Sequence, residues 1–185
     1  FISDWGKVAY LSLHPYLMVD TSLFDIGFKA KLINMISDLD EQTDGLIINS
    51  DNFQALKLIK NRYFNQIDTL YYDPPYNTSD SSFLYKNNFK ESSWLAMIQN
   101  RLEASKCLLN DKGIVNICID DFELSKLQDL MDDVFGHHNR LGNLVIEIKP
   151  SGRTNDYYLA TSHEYSLIYA KDIDHSESIN FLDLS

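Results

Sequence analysis

Residues 67–76 read IDTLYYDPPY, in which an apolar run ends abruptly at two consecutive prolines. The run from Ile67 to Tyr72 predicts a β-strand. Proline has no backbone N–H and cannot continue a β-ladder, so the strand is predicted to stop at Asp73-Pro74-Pro75. The sequence therefore places an aspartate, two prolines and a tyrosine at the end of a strand.

The segments on either side of this strand alternate between strand and helix patterns. Short apolar strands are predicted at 46–50 and 113–119. Helical spacing of apolar residues is found at 28–39, 55–63, 93–109 and 124–134. Because strands that alternate with helices form parallel sheets with right-handed crossovers, the three strands are expected to be parallel.

The last two predicted strands, at 144–149 and 165–171, follow each other with no helix between them. We therefore expect an antiparallel hairpin at one edge of the sheet, with residues 150–162 as its long connection. The predicted fold class is α/β, with a mostly parallel sheet that ends in this antiparallel edge hairpin.

Acidic side chains follow each of the three predicted parallel strands. Asp51 follows the first, Asp73 the second, and Asp120 with Asp121 the third. Ligands of open α/β sheets bind outside the carboxyl ends of the strands, so these residues are predicted to share one rim. For Asp120 and Asp121 the simpler interpretation is that they cap the following helix, with a cofactor role as the alternative.

A carboxylate and a carbonyl flanked by prolines lie next to each other in Asp73-Pro74-Pro75-Tyr76. Each proline fixes its φ, so the two acceptors are held rigidly and can bind both hydrogens of an exocyclic amine. This orients the nitrogen lone pair toward an electrophile, which is catalysis by positioning. Tyr76 offers a flat face on which an extruded base can stack. The competing interpretation is a strand-ending turn with a half-buried tyrosine; the position directly after an apolar strand favours function.

Composition limits the partners of the chain. The 185 residues suit one domain, and the net charge of −11 argues against this piece alone gripping a phosphate backbone. No apolar run approaches the length of a membrane span, so no membrane partner is expected. No cysteine or histidine cluster has zinc-ligand spacing, so no metal site is predicted. Cys107 and Cys118 lie in apolar runs, which predicts buried, reduced thiols and a cytoplasmic protein.

The motif and its surroundings resemble a known family. Residues 70–78, LYYDPPYNT, are similar to the catalytic motif of the β-group DNA adenine methyltransferases, most closely to the modification subunit of type III restriction-modification systems. The resemblance extends through DLDEQTDG (38–45), DNFQAL (51–56), SWL (93–95), RL (101–102), IDD (119–121), VFG (134–136), HEY (163–165) and YAK (169–171). It implies the class I, Rossmann-like methyltransferase fold.

By this resemblance the chain is part of a site-specific DNA adenine methyltransferase, which transfers a methyl group from S-adenosyl-L-methionine to the 6-amino group of a flipped adenine. In the implied catalytic motif of Asp73, Pro74, Pro75 and Tyr76, Asp73 and the Pro74 carbonyl hold the amine, and Tyr76 stacks on the base. Asp51 and Asp73 are implied to lie near the cofactor. The implied partners are DNA, a restriction subunit with helicase and nuclease activity, and a second modification subunit.

The chain departs from this family at the cofactor motif Phe-x-Gly-x-Gly. None of its seven glycines forms the required pair, and Phe24-Asp25-Ile26-Gly27 is followed by Lys29 where the second glycine should be. We expect the target-recognition region and the cofactor motif to be absent from the chain. The predicted domains are an N-terminal extension over 1–45, which includes a helix, and the catalytic-motif half of the methyltransferase domain over 46–185. Weak cofactor binding and little methyl transfer are predicted for the chain alone.

Two alternative functions remain open at this stage. The chain could be a non-catalytic remnant that binds a partner subunit, which the missing glycine pair favours and the intact Asp73 to Tyr76 motif disfavours. It could also belong to the enzymes that methylate RNA or protein glutamine, but these more often carry Asn-Pro-Pro-Tyr. Trp94 is expected to be helix core rather than a wedge between bases.

Overall fold

A computed structural model describes residues 7–18, 20–78, 91–148 and 161–176. The chain divides into two compact units, Phe1–Ile47 and Ile48–Ser185. The first contains helix α1 (Val8–Leu13), a 3-10 turn (Thr21–Leu23) and helix α2 (Ile26–Asn34), none of which has a buried residue. Asp25 begins α2 by accepting a hydrogen bond from the Phe28 N–H at 2.9 Å. The helix predicted at 28–39 therefore begins earlier and ends at Asn34.

In the second unit the predicted helices are found in the predicted order. They are α3 (Asn52–Ile59), α4 (Glu91–Lys106) and α5 (Leu124–Phe135), which ends at Gly136 with a φ of +95°. The strands are β1 (Ile67–Tyr72), β2 (Leu109–Ile119), β3 (Arg140–Glu147) and β4 (His163–Ala170). No helix in the described part of the chain is long and apolar enough to cross a membrane.

The strands form one sheet in the order β1-β2-β4-β3. β1 and β2 are parallel, whereas β4 runs antiparallel to both β2 and β3. The predicted α/β sheet with an antiparallel hairpin at one edge is therefore confirmed. Most of the connection predicted at 150–162 lies outside the described residues.

The prediction of a strand at 46–50 is wrong. These residues form no strand, and the side chains of Leu46 and Ile47 are 59% and 97% exposed. A strand needs a neighbour to satisfy its backbone N–H and C=O groups, and no strand among the described residues pairs with this segment. The sheet therefore has one parallel and two antiparallel pairings here, rather than a parallel majority.

Helix α4 ends at Lys106, before the end predicted at 109, and β2 begins at Leu109, four residues before the predicted strand at 113–119. The pairing of β1 with β2 changes register at this point, because Ile67 is opposite Leu109 whereas Thr69 is opposite Ile114. Glycine is favoured at position 113 in this irregular stretch, since a Cβ there would come within 2.9 Å of the Asn110 backbone oxygen.

Helices α4 and α5 supply one side of the hydrophobic core, and β2 and β4 supply the other. The core residues are Trp94, Ile98 and Leu102 from α4; Leu127, Leu130, Met131 and Phe135 from α5; and Leu109, Val115, Ile117, Ile119, Leu167 and Tyr169 from the strands. Alternate residues of β2 face the helices, as the two-residue period of a strand requires. This packing fixes the strand ends where the candidate site lies.

Candidate active site

The carboxyl ends of β1 and β2 meet at one rim of the sheet, because the two strands are parallel. β4 is antiparallel to β2 and pairs Tyr165 with Ile119, so it begins at the same rim. The rim therefore carries Asp73 after β1, Asp120 after β2 and Glu164 near the start of β4. Sequence analysis predicted the first two of these positions.

The loop after β1 is held at Pro75 by a buried tryptophan. Trp94, near the start of α4, is 0% exposed, and its Nε1–H donates to the Pro75 carbonyl oxygen at 2.8 Å. The prediction that Trp94 is helix core is confirmed. The same side chain also fixes the backbone of the motif, because an indole has one N–H and gives it to this carbonyl.

The Tyr76 ring is half-buried, and its hydroxyl is anchored. The hydroxyl donates a hydrogen bond to Oε2 of Glu164 on β4, 3.1 Å away. Burial raises the pKa of the Tyr76 hydroxyl, and the negative charges of Asp73 and Glu164 raise it further. The hydroxyl therefore stays protonated, and remains a donor, throughout the neutral pH range.

Asn77 continues the loop in the left-handed backbone region, with a φ of +61°. Asparagine tolerates this region better than most other residues. Its Nδ2 donates to Oε1 of Glu123 at 2.7 Å, and Oε2 of Glu123 forms an ion pair with Lys126 at 3.0 Å. Residues 75, 76 and 77 are thus held by side chains from α4, from β4 and from the segment before α5.

Asp73 and Pro74 differ from the three residues that follow them. Within the part of the chain that the structure describes, neither the Asp73 carboxylate nor the Pro74 carbonyl accepts a hydrogen bond. Asp73 is exposed and Pro74 is half-buried. Two neighbouring acceptors are therefore presented on a backbone that is fixed immediately downstream, which suits an –NH2 group with two hydrogens to donate.

A cavity of about 270 Å³ lies beside these acceptors. It is slightly smaller than most small-molecule sites, which occupy roughly 300–1,000 Å³. The cavity is lined by apolar and aromatic side chains with polar groups among them: Tyr72, Pro74, Pro75, Met97, Ile98, Leu102 and Ile117, with Asn52, Asp73 and Arg101. Such a lining can take an aromatic or aliphatic group whose polar ends meet the amide, carboxylate or guanidinium.

Asp51 is the N-cap of α3, and both of its carboxylate oxygens have partners within the protein. Oδ1 accepts hydrogen bonds from the N–H groups of Phe53 and Gln54 at 3.1 and 3.3 Å. Oδ2 pairs with Nη2 of Arg101, also at 3.3 Å. Asp51 is therefore a helix cap tied to the cavity wall, and the next residue, Asn52, lines the cavity itself. The cofactor role of Asp51 stays a prediction.

The prediction that Asp120 or Asp121 caps the following helix is wrong. Helix α5 begins at Leu124, and Glu123, which is at the N-cap position, accepts no capping hydrogen bond. Asp120 is buried and accepts a hydrogen bond from the Phe122 N–H at 3.1 Å. Oδ1 of Asp120 therefore binds the N–H two residues further on, an Asx-turn bond that aspartate commonly forms. This turn lies before the helix starts.

Arg101, Glu123 and Glu164 belong to the site, and sequence analysis did not predict a role for them. Glu164 lies in the HEY stretch, and Arg101 in the RL stretch, that carry the family resemblance. That resemblance was the signal available for both residues. Nothing in the sequence around Glu123 pointed to Asn77, which is 46 residues away.

A family model described as DNA methylase, of the N6/N4 methyltransferases, matches residues 67–181. The matched stretch includes the Asp73–Asn77 loop together with Trp94, Glu123 and Glu164. The chain belongs to this DNA methylase family.

Curated relatives include type III modification subunits and type II methyltransferases. The chain is 33% identical over 145 residues to the probable type III restriction-modification enzyme HindVI Mod subunit of Haemophilus influenzae, covering 74% of the chain and 19% of that protein. It is 33% identical over 157 residues to the type II methyltransferase M.KpnI of Klebsiella pneumoniae, covering 80% and 37%. For the EcoP15I Mod subunit of Escherichia coli the identity is 30%, covering 69% and 24%. The chain spans between 19% and 37% of the length of these relatives.

Solved structures show the same fold. The M1.HpyAVI–SAM complex superposes with a TM-score of 0.51 at 16% identity, covering 75% of this chain and 60% of that one. TTHA0409 from Thermus thermophilus, complexed with S-adenosyl-L-methionine, gives a TM-score of 0.51 at 12% identity, covering 71% and 55%. The predicted class I methyltransferase fold is confirmed by this likeness.

Proposed function

We propose that this chain is the catalytic-motif part of a DNA adenine methyltransferase, the modification subunit of a type III-like restriction-modification system. The observation that carries the proposal is the pair of open acceptors, Asp73 and the Pro74 carbonyl, on a loop held at its next three residues. In this proposal residues 46–185 are the catalytic-motif half of the domain and residues 1–45 are an N-terminal extension. The two unpaired cysteines suit a protein of the cytoplasm.

The two acceptors would act on the 6-amino group of adenine. Each accepts a hydrogen bond from one N–H of the amine, and the two bonds orient the nitrogen lone pair toward the methyl donor. The negative charge of Asp73 also stabilises the positive charge that develops on the nitrogen as the new bond forms. Because Pro75 and Asn77 are held independently, this orientation costs little rearrangement when the base arrives.

The target base would have to leave the DNA duplex, because its amine cannot be reached while the base is stacked. Tyr76 follows the two acceptors directly, and its ring keeps part of its surface open at the rim. Stacking of an extruded base on such a ring contributes about 1–3 kcal/mol. The tyrosine therefore offsets part of the cost of extrusion.

The cavity beside Asp73 fits part of S-adenosyl-L-methionine. Its apolar walls suit the aromatic or aliphatic parts of that molecule, and Asn52, Asp73 and Arg101 line the same cavity with polar groups. These residues, with Asp51 behind Arg101, are the ones that would hold the cofactor. When bound, S-adenosyl-L-methionine supplies the electrophilic methyl group.

The proposed partners are DNA, a restriction subunit and a second modification subunit; the type III relatives are named as Mod subunits of restriction-modification enzymes, which supports the first two. The net charge of −11 disfavours binding of a phosphate backbone by this chain alone. Residues 51–100, which include the motif, contain five basic and five acidic residues, so the negative charge comes from other parts of the sequence. In this proposal most of the affinity for DNA comes from other parts of the protein.

The test is methyl transfer from tritiated S-adenosyl-L-methionine to duplex DNA by the full-length protein that carries this chain. After digestion to nucleosides, we expect the label in N6-methyladenine. Label in N4-methylcytosine, in RNA or in protein glutamine would contradict the assignment of the substrate, and the three arms are run in parallel to distinguish them.

Residues 1–185 alone are expected to bind the cofactor weakly and to transfer little or no label. The reasons are the acidic net charge and the lack of a glycine pair spaced by one residue. Strong turnover by these 185 residues would contradict this part of the proposal. If the full-length protein neither binds the cofactor in a titration nor transfers label, a partner-binding remnant is the correct assignment.

A further inference from the structure

We infer that Glu164 is a positioning residue for the proposed methyl transfer: its carboxylate anchors the Tyr76 hydroxyl and so fixes the ring on which the adenine stacks. The inference rests on the proposed function, because it assigns Glu164 to the orientation of a base. It goes beyond the four residues of the motif by adding a side chain that lies 88 residues further along the chain.

The sheet topology brings this distant residue to the motif. β4 pairs with β2 in antiparallel register, with Tyr165 opposite Ile119, so Glu164 lies just beyond the end of β2. Tyr76 lies four residues beyond β1, and its hydroxyl is 3.1 Å from Oε2 of Glu164. Two elements that are far apart in sequence thus fix the near and far ends of one aromatic ring.

Glu164 controls the ring and not the backbone. The loop on either side of Tyr76 has its own supports, the bond from Trp94 to the Pro75 carbonyl at 2.8 Å and the bond from the Asn77 side chain to Glu123 at 2.7 Å. A tyrosine ring attached to a fixed backbone can still rotate about its two side-chain bonds. A hydrogen bond at the hydroxyl restricts both rotations, so the ring is already in place when a base is extruded.

The anchor persists at neutral pH. Burial, Asp73 and Glu164 together raise the pKa of the Tyr76 hydroxyl, so it keeps its proton and donates a hydrogen bond to the carboxylate. Glu164 needs only an acceptor oxygen to serve this purpose. Glutamine supplies an amide oxygen of nearly the same reach, whereas leucine has a similar shape and no acceptor.

The test is a double-mutant cycle in the full-length protein, made of Glu164→Leu, Tyr76→Phe and the two combined. Each single change should lower kcat about three- to ten-fold, which is the worth of one typical hydrogen bond. The combined variant should be no slower than either single variant, because both remove the same bond. Tyr76→Ala, which also removes the ring, should be slower than Tyr76→Phe.

Two further variants separate positioning from general damage to the fold. Glu164→Gln should recover most of the activity that Glu164→Leu loses. Glu147→Leu changes an exposed glutamate on the adjacent strand β3 and should leave kcat unchanged. The inference would be overturned if the losses in kcat of Glu164→Leu and Tyr76→Phe multiplied in the combined variant. A Glu164→Gln variant as slow as Glu164→Leu would also overturn it.

A measurement without turnover separates this inference from the proposed function. 3-Fluorotyrosine is placed at position 76 of residues 1–185, and the ring is followed by fluorine NMR. Glu164→Leu should shift the resonance and lower the pKa of the phenol, because it removes a negative charge and an acceptor; Glu147→Leu should change neither. An unaltered resonance and pKa in Glu164→Leu would overturn the anchor even if the enzyme is active. The expected shift with no methyl transfer by the full-length protein would instead contradict the proposed function alone.

Discussion

Asp51 and Asp73 look alike in sequence, and the structure gives them opposite surroundings. Both follow an apolar segment and precede a turn away from it. The Asp51 carboxylate accepts two backbone hydrogen bonds and pairs with Arg101. The Asp73 carboxylate accepts no hydrogen bond within the described residues. One aspartate is used by the fold, and the other is left available for a ligand.

The prolines account for part of the difference. An aspartate before a helix is captured by the N–H groups two and three residues further on, as Asp51 is by Phe53 and Gln54. Two residues after Asp73 the chain has Pro75, which has no N–H, and Pro74 has none either. The prolines therefore remove the donors one and two residues after Asp73, and Tyr76, three residues after it, is the first residue that has an N–H. Their role in the motif is to leave Asp73 with fewer local donors as well as to stiffen the backbone.

The largest effect is expected for Asp73→Ala in the full-length protein. It removes an acceptor needed to orient the amine, so kcat should fall about 100-fold or more. Stability of residues 1–185 in urea should change by less than about 0.5 kcal/mol, because the side chain is exposed and makes no hydrogen bond that would be lost. DNA binding in a mobility-shift assay should be retained. Methylation at the normal rate by Asp73→Ala would remove the basis for calling the motif catalytic.

Trp94→Phe should have the next largest effect, this time on stability. It leaves the Pro75 carbonyl without its donor and should cost about 1–3 kcal/mol in the unfolding free energy of residues 1–185. The released loop should also lower kcat of the full-length protein. Phe135→Leu, a core change in α5 with no hydrogen bond to the loop, is the matched control. It should reduce stability and leave kcat unchanged; equal loss of kcat in both variants would show that general destabilisation is the cause.

Asp51→Ala is expected to have the smallest effect of the three. It removes the cap of α3, which should cost about 1 kcal/mol in urea unfolding. Asp51→Asn keeps a capping oxygen and loses only the partly exposed ion pair with Arg101, so it should cost less, about 0.2–1 kcal/mol at most. If the two variants destabilise equally, capping is not the role of Asp51, and the contrast with Asp73 is lost.

Errors in the sequence-based fold have a shared physical origin. The helices of the second unit and the strands at 67–72, 144–149 and 165–171 have periodic patterns that are local, and all of them were found. The segment at 46–50 has the composition of a strand, but a strand exists only where another strand satisfies its backbone. Similarly, the Asp120 carboxylate could bind the N–H of a turn or the first N–H groups of the helix. The residue types alone do not decide between these two.

The sequence by itself determined the chemistry of the motif. Two prolines after Asp73 dictate the end of β1 and the rigidity of the loop, and they remove the two donors nearest to the carboxylate, because proline has no N–H and a fixed φ. Tertiary structure alone decided how the loop is held. Trp94, Glu123 and Glu164 reach it from 19, 46 and 88 residues away, counted from the residue each one binds. Such contacts depend on the order and direction of strands in the sheet, and no local pattern of residue types encodes that order.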